Sequence, residues 1–437
     1  MRASAISIVK TLRKAGFEAY FAGGVVRDIL LKKHPKDIDI ATNARPEEIE
    51  KLLEKTIPIG KEFGVILAIV DKHHFEIATF RSDSALSDGR RPDAVFFTNA
   101  EEDAKRRDFT VNGLFYDPIK KEILDYIGGK QDLKNKIIRF IGNPNQRIKE
   151  DYLRILRAVR FKNILNFEYD AETATALQAN VEFITKISSE RIGEELTKMF
   201  VHKNRVQALI DLSKFEILKF ILPEIEVLRG VQQPEQYHEE GDVFNHTLAV
   251  LRNLPRNPNK ALVFSALFHD IGKPTTFSHL PNDRIRFNMH AQVGAKMTEK
   301  ICRRLKFSNL EIDHIAWLVE HHMAILQIFD MRPAHQINFL AHPWFLDLLQ
   351  LHRADALGSI PVGLSVYYKL KRLYAKYHHK LLLSGDLISG KEIEEYFHLY
   401  PSPEIGRLKK ALHNAQIDGR LKTKEEAWEF LKKCLPK

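Results

Sequence analysis

Two patterns of hydrophobic and polar residues divide the chain. Up to about residue 140, short apolar runs such as FEAYFAGG, FGVILAIV and HFEIATF alternate with amphipathic stretches such as RPEEIEKLLEK, which indicates strands mixed with helices. Beyond residues 142–144, runs such as EDYLRILRAVRF and RVQALIDLSKFEILKFIL carry apolar residues at helical spacing. We therefore predict an α+β fold, in which an N-terminal domain with a small mixed β-sheet and helices precedes all-α segments.

Breaks in the helical pattern predict four segments. A loop with Gly230, Pro234 and Gly241 precedes a histidine-rich stretch, and a basic helical tail closes the chain. The predicted segments are a mixed domain over residues 1–140, a helical neck over 141–235, a histidine-rich domain over 236–360 and a helical tail over 361–437.

Composition narrows the class of protein. With 437 residues, 44% hydrophobic and 28% charged, the chain can build several ordinary cores, which excludes a disordered or fibrous protein. Lys plus Arg number 67 against 57 Asp plus Glu, and this excess favours a polyanionic partner such as a nucleic acid. The two cysteines, Cys302 and Cys434, are too few for a disulfide framework, and no apolar run approaches the length of a membrane span. We expect a cytoplasmic protein that does not enter a membrane.

The first candidate site begins with the run FAGGVVRDILL. An apparent strand leads into Gly23 and Gly24, and a helix with Arg27 in its first turn follows. Glycines let the backbone approach an anion, a helix N-terminus offers free N–H groups, and an arginine adds a charged fork, so this arrangement suits a phosphate. Taken alone, the pattern is also that of an ordinary turn before a helix.

Paired carboxylates follow in the run KDIDIAT. Asp37 and Asp39 lie two residues apart in a strand-like run, so both side chains project from one face. Two such close carboxylates repel each other unless a divalent cation neutralises them, and Mg²⁺ bound to a nucleoside triphosphate suits their oxygen ligands. Glu76 in HFEIATF could add a third carboxylate from a neighbouring strand. A solvated acidic turn and an outward-facing Glu76 are the alternatives, but a phosphate turn ahead of paired carboxylates fits two-metal nucleotidyl transfer.

Five blocks in order carry a family resemblance. GGVVRD, DID, TFRSDSALSDGRRP, EEDAKRRDFTVNGLFYDP and RIKEDYLRILRAVRF lie between about residues 21 and 161. They resemble motifs of the nucleotidyltransferase superfamily, and more narrowly of class II tRNA nucleotidyltransferases and bacterial poly(A) polymerases. The resemblance implies that residues 1–140 form a catalytic head in which Asp37 and Asp39 bind the metals.

The same resemblance assigns nucleotide contacts in the head. It implies that Gly24, Arg27 and Arg107 hold the phosphates and the sugar of the nucleotide. Arg106 is either a helper or a solvated basic residue.

The run EDYLRILRAVRF predicts how a nucleotide base is chosen. Asp151, Arg154, Arg157 and Arg160 recur every three residues, and on one helix each such step turns back by about 60°. The first three would then share a face, whereas Arg160 would drift away from it. Asp accepts and Arg donates hydrogen bonds, which complements the amine and ring nitrogen of cytosine and adenine but not uracil or guanine. In the family that these blocks resemble, a similar motif is credited with this selection. The alternative is a surface ion pair between Asp151 and Arg154.

The two branches of the family differ near residue 60. Bacterial poly(A) polymerases, by the resemblance, carry a stretch like VGRRF followed by His, whereas this chain reads Gly60, Lys61, Glu62, Phe63 and Gly64. We therefore favour a CCA-adding tRNA enzyme that uses ATP and CTP, with tRNA as its partner and no protein partner evident. A poly(A) polymerase, a CC-adding or A-adding enzyme, and a purely RNA-binding protein or RNA chaperone remain as alternatives.

The histidine-rich stretch contains a second metal signature. His246, the doublet His269-Asp270, and Asp355 resemble the ligands of an HD phosphohydrolase domain, which implies a divalent metal such as Mg, Mn, Ni or Fe. His290 and His322 are candidates for a second metal ion.

A metal there would activate water against phosphoesters, such as 2′,3′-cyclic phosphates or 2′-phosphates. The alternatives are an inactive RNA-binding scaffold, or a phosphohydrolase whose N-terminal head only binds RNA.

Overall fold

The computed structural model describes residues 1–83, 95–234, 239, 241–279, 285–383, 387–398, 400, 403–417, 420–421 and 423–434. Residues 84–92, which belong to the block TFRSDSALSDGRRP, lie outside the described residues. The chain divides into two compact units, Met1–Ile221 and Leu222–Lys437.

A mixed seven-stranded sheet forms the base of the first unit, with strand order β3-β4-β5-β2-β1-β8-β9. The pair β2–β5 is parallel, and its neighbours in the sheet are antiparallel. Strands β6 and β7 form a separate pair. The strands are β1 (Ala19–Ala22), β2 (Ile40–Thr42), β3 (Thr56–Gly60), β4 (Val65–Val70), β5 (His73–Thr79), β6 (Arg81–Asp83), β7 (Val95–Phe97), β8 (Phe115–Asp117) and β9 (Glu122–Leu124).

The alternation of residues in β5 explains the faces of this sheet. Phe75, Ile77 and Thr79 are buried, whereas His74 before them and Glu76 among them are exposed. The helices that accompany the sheet are α1 (Arg2–Lys14), α2 (Gly24–Leu30), α3 (Pro46–Leu52), α4 (Ala100–Lys105) and α5 (Gly129–Asn135).

The rest of the first unit is helical apart from one short parallel pair, β10 (Ile137–Ile138) with β11 (Glu168–Tyr169). Buried residues such as Ile192, Leu196 and Met199 recur at helical spacing and hold the helices together. The helices are α6 (Pro144–Glu150), α7 (Arg154–Leu165), α8 (Ala171–Ala179), α9 (Ser189–Phe200), α10 (Arg205–Lys214) and α11 (Leu218–Ile221).

The described part of the second unit is also helical, with one short hairpin of β12 (Phe277–Ser278) and β13 (Arg286–Phe287). Its helices are α12 (Pro223–Glu226), α13 (Val243–Asn253), α14 (Lys260–Phe268), α15 (Lys273–Thr276), α16 (His290–Arg304), α17 (Asn309–His321), α18 (Pro333–Leu340), α19 (Phe345–Gly358), α20 (Ser365–Leu383), α21 (Gly390–Phe397), α22 (Pro403–Ile417) and α23 (Lys424–Cys434).

The predicted α+β fold class is confirmed, because a small mixed sheet near the N-terminus precedes helical segments. The boundaries at residues 140, 235 and 360 stay predictions. Among the described residues, no helix has the length and hydropathy that a bilayer span requires.

Candidate functional site

A glycine turn joins β1 to α2. Gly23 has the left-handed backbone angle φ 73°, and its N–H donates to the carbonyl of Leu114 at 3.0 Å. A Cβ atom at Gly23 would lie 2.9 Å from Nη1 of Arg107, so this guanidinium group packs directly on the turn. Gly24, the first residue of α2, has the side chain of Arg27 beside it. The turn thus brings two arginines to one strand end.

The predicted carboxylates gather at the neighbouring strand ends. Strand β2 begins at Ile40, so Asp37 and Asp39 lie just before it. Since Ile40 pairs with Ile77 in the parallel register, Asp39 lies beside Glu76 of β5. The N–H of Ala22 donates to the backbone carbonyl of Asp39 at 3.0 Å, which ties this segment to the glycine turn. All three residues, here called the head carboxylates, are exposed: Asp37, Asp39 and Glu76.

The electrostatics of the head carboxylates favour a cation. Loss of hydration raises the pKa of Asp39 to about 6, and the negative charges of Glu76 and Asp37 add to this rise while Arg107 opposes it. A divalent ion would relieve the repulsion, and carboxylate oxygens are the ligands that Mg²⁺ prefers. The donor chemistry of the three residues therefore suits such a metal, but their carboxylate oxygens do not all lie within 4.8 Å of one another.

A buried carboxylate, Asp103, holds the adjacent arginines Arg106 and Arg107. One oxygen accepts from Nε and Nη2 of Arg106 at 2.9 and 2.7 Å, and the other accepts from Nε and Nη2 of Arg107 at 3.1 and 3.0 Å. Arg106 is therefore ion-paired rather than freely solvated. The sequence analysis missed Asp103, although its spacing of three and four residues from the arginines at the end of α4 is the usual signal for such pairs.

A hydrogen-bond relay holds Arg27. Its Nη1 donates to Oδ1 of Asn112 at 2.6 Å, and Nδ2 of Asn112 donates to the buried Asp108 at 3.2 Å. Arg27 also pairs with the adjacent Asp28 at 3.0 Å. Sequence reasoning did not single out Asn112 or Asp108.

The structure corrects the position of Asp151. It lies outside α7, at the C-terminal end of α6, with an extended backbone (φ −153°, ψ 105°), so the prediction of one continuous helix through EDYLRILRAVRF is wrong. The physical reason is a local turn, in which the carboxylate accepts from the N–H of Leu153 at 3.0 Å. Its other oxygen accepts from Nη2 of Arg191 at 2.8 Å.

Arg154 begins α7, and its side chain is bound by residues other than Asp151. Its Nη1 donates to Glu150 at 2.6 Å and to the carbonyl of Arg147 at 2.8 Å, and its Nη2 donates to the carbonyl of Arg106 at 3.3 Å. The alternative of an Asp151–Arg154 surface ion pair is therefore wrong.

The two later arginines of this run are bound by buried acids. Arg157 donates from Nε to Asp108 at 2.8 Å, and Arg160 donates from Nε to Glu195 at 2.5 Å. Burial opposes the charge of Arg157, but Asp108 raises the pKa of this arginine above its usual value. Both contacts tie α7 to its surroundings.

The second unit brings all six predicted histidine and aspartate ligands into one group, here called the histidine cluster. His246 of α13 lies with Nε2 3.0 Å from Oδ1 of Asp355 of α19 and 3.8 Å from Oδ2 of Asp270. Nε2 of His269 lies 3.1 Å from the same Asp270 oxygen. The cluster comprises His246, His269, Asp270, His290, His322 and Asp355.

Asp270 also reaches the second pair of histidines. Its Oδ1 lies 3.5 Å from Nε2 of His290 and 3.9 Å from Nε2 of His322, and these two nitrogens are 3.2 Å apart. Two sets of atoms close enough to ligate an ion result, and they share Asp270.

Backbone carbonyls orient the imidazole rings toward the centre of the cluster. The Nδ1 atom of His269 lies 2.9 Å from the carbonyl oxygen of Ala266. The Nδ1 atom of His290 lies 2.8 Å from that of Phe287, and the Nδ1 atom of His322 lies 2.6 Å from that of Val319. Contacts of this kind place the proton on Nδ1 and leave a lone pair on Nε2 that can ligate an ion, as in protein metal sites.

The charges of the cluster also fit a metal. Nε2 of His269 and Oδ2 of Asp270 are buried without a hydrogen bond of good geometry among the described residues. Burial lowers the pKa of His322 to about 3, and the neighbouring imidazoles of His269 and His290 lower it further, so this ring can ligate a metal in its neutral form. Burial alone would raise the pKa of Asp270, but His269 and Lys273 hold it well below its usual range.

A cavity of about 700 Å³ opens onto the cluster. Lys273 lines it, with Nζ 2.7 Å from Asp270 and 2.6 Å from Oε1 of Gln233. Arg286 and Asn288 lie on the same wall. The space and its polar lining suit a small phosphorylated ligand.

Three family models match the chain in order. They are described as "Poly A polymerase head domain" over residues 19–139, "Probable RNA and SrmB- binding site of polymerase A" over 166–228, and "HD domain" over 243–341.

A relative covers nearly the whole chain. The CCA-adding enzyme of Lactobacillus delbrueckii subsp. bulgaricus is 32% identical over 429 residues, which is 98% of this chain and 96% of the relative. The chain belongs to the CCA-adding enzyme family. The CCA-adding enzyme of Lactobacillus helveticus is 47% identical over 205 residues, and this match spans about half the length of that curated relative, 51%.

Solved structures of the CCA-adding enzyme family share the fold. The Bacillus stearothermophilus CCA-adding enzyme in complex with CTP aligns with a TM-score of 0.72 at 24% identity, over 99% of this chain and 96% of that one. A tRNA nucleotidyltransferase complexed with a primer tRNA and an incoming ATP analog aligns with a TM-score of 0.61 at 22% identity, over 86% and 100%. The family predicted from the sequence motifs is confirmed.

Proposed function

We propose that this chain adds C, C and A to the 3′ end of tRNA from CTP and ATP without a nucleic-acid template. The observation that carries the proposal is the meeting of Asp39, Glu76 and Arg107 at the Gly23 turn. This arrangement supplies acidic metal ligands beside a cationic support for a triphosphate. Membership of the CCA-adding enzyme family, and relatives described with CTP or with primer tRNA, support the same substrates.

The reaction joins the terminal 3′-hydroxyl oxygen to the α-phosphorus of the nucleotide, while the bond to pyrophosphate breaks and the hydroxyl proton is lost. Mg²⁺ held by Asp37 and Asp39, with Glu76 beside them, would supply charge neutralisation and hydroxyl activation. Arg107 and the N–H groups of the turn would bind the phosphates, with Arg27 held nearby through Asn112.

Selection of the base would rest on Asp151 and Arg154. A carboxylate accepts from the exocyclic amine of cytosine or adenine, and a guanidinium donates to the ring nitrogen beside it. Uracil and guanine would leave like groups facing each other, at a cost of about 1–3 kcal/mol per unsatisfied group.

The test uses tRNA that lacks its terminal CCA, with each nucleotide alone and all together in Mg²⁺. Synthesis of CCA only from CTP plus ATP supports the proposal. Long A-tails would identify a poly(A) polymerase, and addition of C alone or A alone would identify a partial enzyme. No incorporation by the wild-type protein would refute every transferase assignment, and binding of RNA alone would then remain.

A second activity is favoured by the histidine cluster and its cavity. We propose that a bound divalent metal, such as Mg, Mn, Ni or Fe, supports hydrolysis of 2′,3′-cyclic phosphates or 2′-phosphates that would block the 3′-hydroxyl. The test is release of phosphate, or ring opening, from such nucleotides with each metal in turn. Inactivity with every metal would favour a scaffold role. Both cysteines are free, in keeping with a reducing compartment such as the cytoplasm, where we expect the protein to act.

A further inference from the structure

Arg191 makes a contact that no sequence motif singled out. It lies near the start of α9, and its Nη2 donates to Oδ2 of Asp151, forty residues earlier, at 2.8 Å. Each side chain is 22% exposed, so the pair is partly shielded from water yet open to a ligand. The contact involves the acidic residue proposed to read the base.

The carboxylate of Asp151 is fixed at both oxygens. Oδ1 accepts from the N–H of Leu153 at 3.0 Å, and Oδ2 accepts from Arg191. A carboxylate offers about four lone-pair positions, so these two bonds set its plane and still leave acceptor positions for a ligand.

The surroundings keep both partners in place. The ring of Tyr152, next to Asp151, stacks on Phe183 with centroids 5.2 Å apart. Helix α9 packs against α7 through buried residues that include Ile192 and Leu196. Arg191 therefore projects from a rigid element, as a positioning group must.

Arg154, the proposed donor, is held by different contacts. Both hydrogens of its Nη1 are donated, one to Glu150 and one to the carbonyl of Arg147. Fixing the acceptor and fixing the donor are thus separate tasks in this structure.

We infer that Arg191 is a positioning residue that holds the Asp151 carboxylate as a hydrogen-bond acceptor and thereby makes the enzyme choose C and A over U and G. This inference rests on the proposed function. Without Arg191, Oδ2 of Asp151 loses its donor and the carboxylate can rotate. The difference in kcat/KM between matched and mismatched bases then shrinks, while the head carboxylates keep their contacts.

The experiment compares wild type with Arg191→Met, which keeps the aliphatic length and removes the donors, and with Arg191→Lys, which returns one donor and the charge. Glu194→Ala is the matched control, because Glu194 is an exposed residue of α9 with only a 3.7 Å ion pair to Lys198. The readout is kcat/KM for CTP against UTP on tRNA lacking CCA, and for ATP against GTP on tRNA ending in CC.

In Arg191→Met we expect the CTP/UTP and ATP/GTP ratios of kcat/KM each to fall about tenfold or more, because the variant loses roughly one hydrogen bond to a charged group. Arg191→Lys should lie between, and Glu194→Ala should equal wild type. In an Asp151→Asn background the Arg191 change should add little, because the two residues act as one unit.

A uniform loss for all four nucleotides in Arg191→Met, with unchanged ratios, would show a merely structural role and overturn the inference. If that variant does not fold by circular dichroism, Arg191→Lys decides: a lowered ratio supports the inference and a wild-type ratio contradicts it. Absence of C and A addition by wild type would instead refute the proposed function.

Discussion

In the first unit, the three acidic side chains Asp37, Asp39 and Glu76 are exposed, whereas in the second unit His246, His269 and Asp270 are almost completely buried. Among the described residues, the groups with ligand atoms close enough to hold an ion both belong to the histidine cluster. The head carboxylates are all oxygen donors, and the cluster is mainly imidazole.

This difference indicates how each site would acquire its metal. Exposed oxygen ligands bind Mg²⁺ weakly and share it with the phosphates of a substrate, so the head metal would arrive and leave with the nucleotide. Buried imidazoles whose Nδ1 atoms face backbone carbonyls are oriented before a metal binds, and such sites retain it. We therefore expect a metal in the head to be transient and a metal in the histidine cluster to be resident.

The sharpest way to separate the two sites is to inactivate each alone. Asp39→Asn should lower the rate of nucleotide addition by about a thousandfold or more, because it removes a negative charge that is proposed to hold Mg²⁺ at the reacting phosphate. The same variant should leave any phosphohydrolase activity unchanged. His269→Ala should do the reverse. Glu54→Gln, an exposed acidic residue of the first unit, is the control for both assays. Loss of both activities in either variant would contradict independent sites.

Metal retention tests the distinction between resident and transient ions. After desalting, mass spectrometry should find metal in wild type and in Asp39→Asn but little in His269→Ala. Chelation should lower the Tm of wild type, because a ligand at about a thousand times its Kd stabilises the native state by about 4 kcal/mol. Equal metal contents in all three proteins would show that the histidine cluster is not the resident site.

Asp103→Asn tests how much the head depends on its buried support. Removing this charge leaves Arg106 and Arg107 without their shared partner, and we expect a loss of about 3 kcal/mol in the free energy of unfolding by urea. KM should rise for CTP and ATP alike, whereas selectivity against UTP should stay unchanged. Glu101→Gln, an exposed partner of Lys105, serves as the control. A change in selectivity would show that Asp103 acts on base choice as well.

The smallest expected effect concerns the pH dependence of stability. Because the pKa of Asp39 is raised to about 6 in the folded state, the stabilising protonated form is lost as pH rises through that value. Without metal at pH 7.5, Asp39→Asn should therefore raise Tm by about 2 °C, and this gain should shrink towards pH 5. Thermal melts at both pH values provide the measurement. A gain that is independent of pH would contradict the raised pKa.

The candidate sites were predicted from sequence where spacing alone fixes geometry. The two-residue spacing predicted that Asp37 and Asp39 share a face, and both are exposed while Ile38 between them is buried. They lie just before β2 rather than in a strand, and the register of β2 with β5 places Glu76 beside Asp39. The candidate metal ligands of the second unit could be predicted because they are chemically distinctive residues that follow one another in a known order. Both cases need little knowledge of tertiary packing.

The supporting residues could not be found in the same way. Asp108 and Glu195 lie 49 and 35 residues from the arginines that they bind, and only tertiary packing brings each pair together. The error at Asp151 arose because its run has helical periodicity, while its side chain competes for a backbone N–H and starts a turn. The preference of Asp for helix beginnings was the available signal.

Gly23 has a consequence at the level of the gene. Its backbone angle of 73° disfavours other residues, and any side chain would place a carbon 2.9 Å from the guanidinium of Arg107. Every missense codon at this position adds a Cβ atom, so each one disturbs both the backbone turn and the side chain of Arg107. In a library that covers all substitutions and is selected for activity, position 23 should retain one amino acid, while the exposed Lys33 ten residues later should vary widely.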